Sequence, residues 1–310
     1  MIKDFTTGDV INCAVLTRSV DLKLTKKGKP YYRFIATDAT GSIPAVIWDV
    51  SCVHGVEVLA DADVISISAS VDEYEGNKQL TVSNATVIPD ADKMEFCPHT
   101  EEDVESMQRE LLEYLGEVQN YWCQKLIHVL IDNETWWNRF CTSSAAVSIH
   151  HDVVGGLLEH TLGVVRMSCR AADAYPWVNK DLVITAAFLH DIGKIKEIKP
   201  FPENTYTVFG NCIGHVVGSA MIVDSICARI KDFPVDVKLK IEHCILAHHG
   251  QLEWGSPKVP ALPEAWIISQ MDNLDARLKM FKNDCAAEDW SAYDRYLGTY
   301  TASGDFDEEK

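Results

Sequence analysis

Two kinds of hydrophobic periodicity divide the chain. Up to about residue 90, apolar and polar residues alternate within short β-branched runs, IPAVIWDV (43–50), VISISASV (64–71) and QLTVSNATVI (79–88). A period of two marks a strand with one buried face. Turn signals separate these runs: Lys27-Gly28-Lys29-Pro30, Thr40-Gly41-Ser42 and Glu75-Gly76-Asn77. About five short strands with basic or glycine-containing loops predict a small all-β domain, such as an OB-fold barrel, an SH3-like barrel or a β-sandwich.

Residues 91–100, ADKMEFCPHT, read as a linker. Beyond them the apolar spacing changes to steps of three and four. Val104, Met107, Leu111, Leu115, Val118, Trp122, Leu126 and Val129 share one helix face. Thr100 with Asp103 supplies a capping signal at its start. Further helices are predicted near 156–174, 181–193, 213–231, 236–248 and 263–281. The last opens on Pro263, a favoured first-turn residue. The expected organisation is α+β multidomain. It has an all-β domain over 1–90, a linker and connecting helix over 91–135, an all-α domain over 136–295, and a frayed acidic tail over 296–310.

Composition narrows the class. Apolar residues make up 47% and charged residues 24%, as in an ordinary globular protein, which excludes disorder for the bulk of the chain. The longest apolar stretch, Leu182 to Leu189, lies between Asp181 and His190 and falls well short of the ~18 residues of a membrane span. No membrane partner is expected. MIKDFTTGDV has no apolar leader segment, so a cytoplasmic protein is expected. The ten cysteines include no Cys-x-x-Cys pair, which argues against a zinc knuckle or thioredoxin motif and fits buried thiols. The net charge of −18 argues against long-range attraction to nucleic acid. Residues 18–33 run the other way, with Arg18, Lys23, Lys26, Lys27, Lys29 and Arg33 against Asp21 alone.

The chemistry-bearing residues are histidines. His150-His151 precede Gly155-Gly156, and His160 lies in GLLEHT. His190-Asp191 end LVITAAFLHD and are followed by Ile192-Gly193-Lys194. His215 lies in GHVVGS, His248-His249 in LAHHG and Asp272 in SQMDNLD. One such histidine alone is commonly a hydrogen-bonded core residue. Several here sit on apolar helical stretches, where unpaired imidazoles and carboxylates are costly to desolvate. A metal ion removes that cost, and imidazole with carboxylate suits manganese, iron or zinc.

His160, His190-Asp191 and Asp272, in that order, resemble the HD superfamily of metal-dependent phosphohydrolases, and His215 with His248-His249 resembles its two-metal members. HHDVVGGLLEHTLGVV, YPWVNKDLVITAAFLHDIGKI and LAHHGQLEWGSPKVPALPEAWIISQMDNLDARL look like the YhaM family of 3′-to-5′ exoribonucleases, in which an OB-fold domain precedes the HD domain. GDVINCAVLTRSV, KKGKPYYRFIATDATGSIPAVIWD and YEGNKQLTV resemble that OB domain, so the likeness covers about residues 8–280. Gly255-Ser256-Pro257 stands where a cyclic-dinucleotide branch would carry Gly-Tyr-Pro, and Asp152 replaces an expected uncharged residue.

The resemblance implies an N-terminal OB-fold barrel, a C-terminal all-α HD domain and two divalent ions, manganese first, with iron, cobalt and zinc as alternatives. His160, His190, Asp191 and Asp272 would hold one ion and His215, His248 and His249 the other, with Asp191 bridging. It implies hydrolysis of single-stranded RNA, with single-stranded DNA as a further candidate, and a homo-oligomer. Lys194 is a candidate phosphate contact, or else a surface lysine at a helix end. His150 and His151 are candidates to bind phosphate or protonate a leaving oxygen, or else serve local structure. Glu159 and Asp275 are candidate orienters of ligand histidines. Lys26, Lys27, Lys29 and Arg33, around Tyr31, Tyr32 and Phe34, are candidate RNA contacts through phosphate pairing and base stacking. The alternative is a solvated hairpin whose aromatics fill the barrel, and Trp48 and Tyr74 are open in the same way. Two other functions stay open: a nucleotide or cyclic-nucleotide phosphohydrolase whose barrel serves assembly, and a non-catalytic nucleic-acid-binding protein.

Overall fold

Alternation in the first third of the chain becomes six strands: β1 (Val10–Leu24), β2 (Pro30–Asp38), β3 (Gly41–Ile47), β4 (Val53–His54), β5 (Val64–Tyr74) and β6 (Asn77–Val87). The structure is a computed structural model, and it describes residues 1–74, 76–147, 152–284, 290, 293–294 and 297–302. The strand order is β3-β2-β1-β5-β6-β4, and β3 also pairs in parallel with β6 through Ala45–Leu80 and Val46–Thr81. That last pairing closes the sheet. A sandwich would leave β3 and β6 as edges, whereas here five strands run β1-β2-β3-β6-β5 and back to β1. This is the closed Greek-key barrel of an OB-fold. The inward faces of Val15, Phe34, Ile47, Ile65 and Leu80 fill it. β1 is bent by a bulge between Arg18 and Asp21, with Ser19 at φ +52°, so its second half continues as a hairpin with β2.

Two compact units make up the molecule. The first contains Met1–His99 together with Lys199–Thr205, and the second contains Thr100–Ile198 and the chain from Tyr206 onward. The second unit is helical: α1 (Val104–Gly116), α2 (Tyr121–Ile131), α3 (Glu134–Thr142), α4 (Gly156–Ala174), α5 (Lys180–Leu189), α6 (Lys194–Glu197), α7 (Val208–Cys212), α8 (His215–Cys227), α9 (Val235–Leu246) and α10 (Pro263–Asp284). α5 is its axis, because every residue from Leu182 to Leu189 is buried. Phe188 meets Phe140 edge-to-face at 5.7 Å between ring centres, and Trp136 stacks on Phe140.

The apolar stripe expected to make one helix from Val104 to Val129 makes two. The Asn120 side chain accepts from the N–H groups of Trp122 and Cys123 at 3.0 and 3.2 Å and so opens α2. The Asp181 carboxylate accepts from the N–H groups of Gln119 and Asn120, which the break would leave unpaired. The stripe runs through the break because Leu111, Leu115, Val118 and Leu126 enter one core. α1 is capped by Asp103 alone, which accepts from Ser106 N–H at 2.6 Å, while the Thr100 hydroxyl donates to Glu159 at 2.8 Å. Cys97, Cys123, Cys141, Cys169, Cys227 and Cys244 are buried, and burial pushes the Cys141 and Cys169 thiols up to about 12. Cys285 lies outside the described residues. Among the described residues no helix is long and apolar enough to cross a membrane.

Candidate metal centre

Helix ends around buried α5 bring the chemistry together. His160 sits in the second turn of α4. α5 stops at Leu189, so His190 closes it and Asp191 falls in the turn that follows. His215 opens α8, His248 and His249 follow the end of α9, and Asp272 lies within α10. Two glycines allow the approach. A Cβ on Gly193 would lie 2.3 Å from the His215 carbonyl oxygen, and one on Gly163 would lie 2.2 Å from Asp275 Oδ1. Gly193 N–H also donates to Ser219 Oγ of α8 at 2.8 Å.

The side chains form two groups, His160–His190–Asp272 and His215–His248–His249, with the ligand atoms of each within 4.8 Å of one another. Asp191 lies between them. Its Oδ2 is 3.4 Å from His160 Nε2 and 3.5 Å from His190 Nε2. Its Oδ1 is 3.5 Å from His215 Nε2 and 3.7 Å from His248 Nε2. That Oδ1 is buried and accepts no hydrogen bond.

All five imidazoles are turned the same way. His160 Nδ1 meets Asp275 Oδ2 at 2.7 Å, and His215 Nδ1 meets Glu197 Oε2 at 2.8 Å. The Nδ1 atoms of His190, His248 and His249 meet the carbonyl oxygens of Ala187, Ile245 and Trp254 at 2.7, 2.6 and 3.0 Å. Every one of these partners is an acceptor, so Nδ1 carries the hydrogen and Nε2 presents its lone pair to the centre. The lone pairs of His160 and His190 then face each other at 3.2 Å, and those of His215 and His249 at 3.3 Å. Two lone pairs at that range repel unless a cation lies between them. Nitrogens each ~2.0–2.1 Å from a shared ion are about 2.9–3.4 Å apart at angles from square to tetrahedral. The donor set therefore fits a transition-metal ion in each group.

The charges agree with that fit. Burial alone would raise the Asp191 carboxyl, but Lys194, His190 and His215 hold it well below the ordinary carboxylate range. Burial likewise opposes ionisation of Asp272, and its contact with His160, together with the surrounding imidazoles, overcomes it. Burial keeps His248 far on the neutral side and lowers His249, where His215 adds to the effect. Burial would also lower His160, but Asp191, Asp272 and Asp275 reverse it and raise the ring well above its ordinary value. Three carboxylates around one imidazole make a negative pocket that a proton or a metal ion answers. Lys194 Nζ is 2.7 Å from Asp191 Oδ2. Burial opposes its charge and Asp191 restores it, so its pKa is raised. The centre opens into a cleft of about 270 Å³, whose wall also contains Ala145, Trp254, Asn273 and Ala276.

Residues 157–277 match the HD domain family. The 3′-5′ exoribonuclease YhaM of Listeria monocytogenes, in three strains, is 31% identical over 286 residues, covering 89% of this chain and 88% of the relative. The chain belongs to the YhaM family of 3′-5′ exoribonucleases. Like that family's members it is a hydrolase of phosphodiester bonds, and its HD domain makes it metal-dependent. Among solved structures, the second OB-fold domain of replication protein A from Methanococcus maripaludis matches at 15% identity, covering 29% of this chain and 95% of that one, with a TM-score of 0.24. The barrel's assignment rests on its own strand pairing.

The YhaM-family chain separates its other candidate residues clearly. Lys26, Lys27 and Lys29 are exposed in the turn between β1 and β2, where Thr25 N–H donates to the Lys29 carbonyl at 2.8 Å. The period of two sends Tyr31 and Arg33 outward and Tyr32 and Phe34 into the barrel core. Tyr31 stacks on Trp48 at 4.9 Å, and Trp48 is 55% exposed. Arg18 leaves the basic patch, because it is buried with its guanidinium 5.7 Å from the Phe201 ring centre. Asp275 orients His160, whereas Glu159 pairs with Lys279 and Thr100. His150 and His151 lie outside the described residues. Glu197 was not among the residues the sequence pointed to. Its signal was an acid set among Lys194, Lys196 and Lys199, six residues past the aspartate of the His-Asp pair.

Proposed function

We propose that the chain removes nucleotides from the 3′ end of single-stranded RNA at a centre of two divalent ions, one in each histidine group, with Asp191 shared between them. The observation that carries this reading is the pair of facing Nε2 contacts, one on each side of an aspartate whose two oxygens face different groups. Manganese is the first candidate metal, ahead of iron, cobalt and zinc. When bound, such ions supply Lewis acidity that makes water a nucleophile near neutral pH and offset charge at phosphorus.

The chain's own residues do the rest. His160, His190 and Asp272 are the ligands of one ion, and His215, His248 and His249 those of the other. Asp275 and Glu197 hold two of the rings in the tautomer that ligation needs. Lys194, kept charged by Asp191, is placed to donate to a non-bridging phosphate oxygen as charge develops there. The helical unit, from Thr100 onward without Lys199–Thr205, acts as the catalytic domain and the barrel within 1–90 as the RNA-gripping one, with 296–310 as an acidic tail. Lys26, Lys27, Lys29 and Arg33 contact phosphates, and the exposed Tyr31–Trp48 stack receives a base. His150 and His151, outside the described residues, are candidates to bind the substrate phosphate or protonate the leaving oxygen. Single-stranded DNA is a further substrate, and the enzyme works in the cytoplasm as a homo-oligomer. A cyclic-nucleotide phosphohydrolase would leave that exposed aromatic stack without a use.

The test uses manganese-loaded protein and 5′-labelled single-stranded RNA. A ladder of shortening products, with two ions per chain by elemental analysis, is the expected result. Asp191→Ala should abolish the ladder and lower bound metal. His215→Ala should keep one ion and lose the other. One ion at most, under anaerobic loading with manganese or iron, would overturn the two-ion centre, and an intact RNA would overturn the exoribonuclease reading.

A further inference from the structure

Trp254 stands in the wall of the metal-centre cleft and is 49% exposed. It is the one large apolar surface there among the described residues. The rest of the wall is imidazole, carboxylate, ammonium, amide and two alanines. The loop that carries it is closely determined. The N–H groups of Trp254 and Ser256 both donate to the Gln251 carbonyl, at 3.1 and 3.2 Å. The buried Ser256 hydroxyl reaches the carbonyl oxygens of Leu246 and Lys258 at 3.1 and 2.7 Å. The Trp254 carbonyl is the acceptor that orients His249. The main chain here thus serves the metal centre, while the indole has no hydrogen-bond or ring partner among the described residues and belongs to a half-exposed residue that lines the cleft.

A polar wall can orient a phosphate, but it has nothing that grips a base. An indole face does, and base–aromatic stacking tolerates any base because each has a π-face. A cleft of about 270 Å³ lies at the small end of organic-ligand sites, which fits one nucleotide better than a run of them. Given the exoribonuclease reading of this centre, on which the assignment rests, we propose that Trp254 stacks on the base of the 3′-terminal nucleotide. It thereby fixes the register in which the last phosphodiester meets the metal ions. The centre should then be indifferent to which base is terminal but should require that one be there.

Two 5′-labelled single-stranded RNAs test this, identical except that one ends in an abasic ribose. The wild-type enzyme should lose about tenfold or more in kcat/KM for the first cleavage of the abasic-ended strand, the size of one missing stack. Trp254→Ala should show that loss already on ordinary RNA and almost no further loss on the abasic-ended strand. Trp254→Phe should restore most of the rate and of the discrimination. A merely structural role would slow Trp254→Ala equally on both strands and leave the discrimination at its wild-type value, which would overturn the assignment. Shortening of neither strand by the wild-type enzyme would instead bring down the exoribonuclease reading, and the Trp254 assignment with it.

Discussion

Lys194 shows how one side chain changes meaning once its surroundings are known. On the sequence it is a lysine three residues past an aspartate, equally suited to a helix end. In the structure its ammonium is largely buried and set 2.7 Å from the carboxylate shared by both histidine groups. Lys194→Ala should lower kcat by ~10²-fold or more, in line with losing one preorganised donor. Bound metal, read by elemental analysis, should not change. Glu197→Gln should do the reverse. It leaves a hydrogen-bonding group beside His215 but withdraws the charge, so metal affinity should fall about 10- to 100-fold while saturating metal restores turnover. Titration of activity against manganese separates the two. The histidine and aspartate pattern is legible in the sequence because such groups on apolar helices lack an inexpensive alternative to a cation. Glu197 and the three carbonyl acceptors are far less so. A main-chain oxygen has no residue identity, and Glu197 is buried only because α6 turns it back toward α8.

At the scale of elements, periodicity located α4, α5, α8, α9 and α10, gave no separate signal for α3, α6 or α7, and missed the break between α1 and α2. The stripe from Val104 continues through Asn120 as far as Leu126 because both helices feed one core, whereas Val129, expected on the same face, is exposed and Ile127 and Leu130 are buried in its place. The break is written in capping chemistry, which apolar spacing does not report. α9 carries a similar local device. His243 Nε2 accepts from Ala261 N–H at 2.9 Å and so ties α9 to the segment before α10. Burial, with Lys258 adding, lowers this imidazole's pKa, so the folded state favours the neutral ring. Its contribution to stability is complete above the unfolded value of ~6.5 and drains away as pH falls through the folded one. His243→Phe should therefore cost about 1 kcal/mol at pH 7.5, where the bond is intact, and clearly less at pH 5.5. Chemical denaturation of both proteins at the two pH values reads the difference.

For the whole molecule, a strongly acidic chain carries one cluster of exposed basic residues on the barrel that also bears an exposed aromatic stack. A net charge of −18 describes the sum and hides this arrangement. Replacing Lys26, Lys27 and Lys29 together by Ala should raise KM for long single-stranded RNA more than it lowers kcat, because these side chains hold ground and transition states alike. The log–log salt dependence of binding should flatten by about 0.7 for each phosphate no longer neutralised. Fluorescence anisotropy across a salt series measures it, and wild-type affinity at every salt concentration would make the turn a solvated loop. Substitution in the full chain is the cleaner experiment. A cut near residue 100 would leave Lys199–Thr205 without the rest of its compact unit.

The division of labour among the Nδ1 acceptors bears on how such a centre is lost over generations. His190, His248 and His249 take their aim from carbonyl oxygens, which every amino acid supplies. No missense change at Ala187, Ile245 or Trp254 can delete those acceptors, although a bulkier residue at buried Ala187 or Ile245 would crowd the core. His160 and His215 take theirs from Asp275 and Glu197, carboxylates that one nucleotide change can erase. Each group of the centre therefore contains at least one ring that heredity cannot easily misalign and one that it can. In a lineage released from the need for this enzyme, decay that spares every ligand would begin at positions 197 and 275.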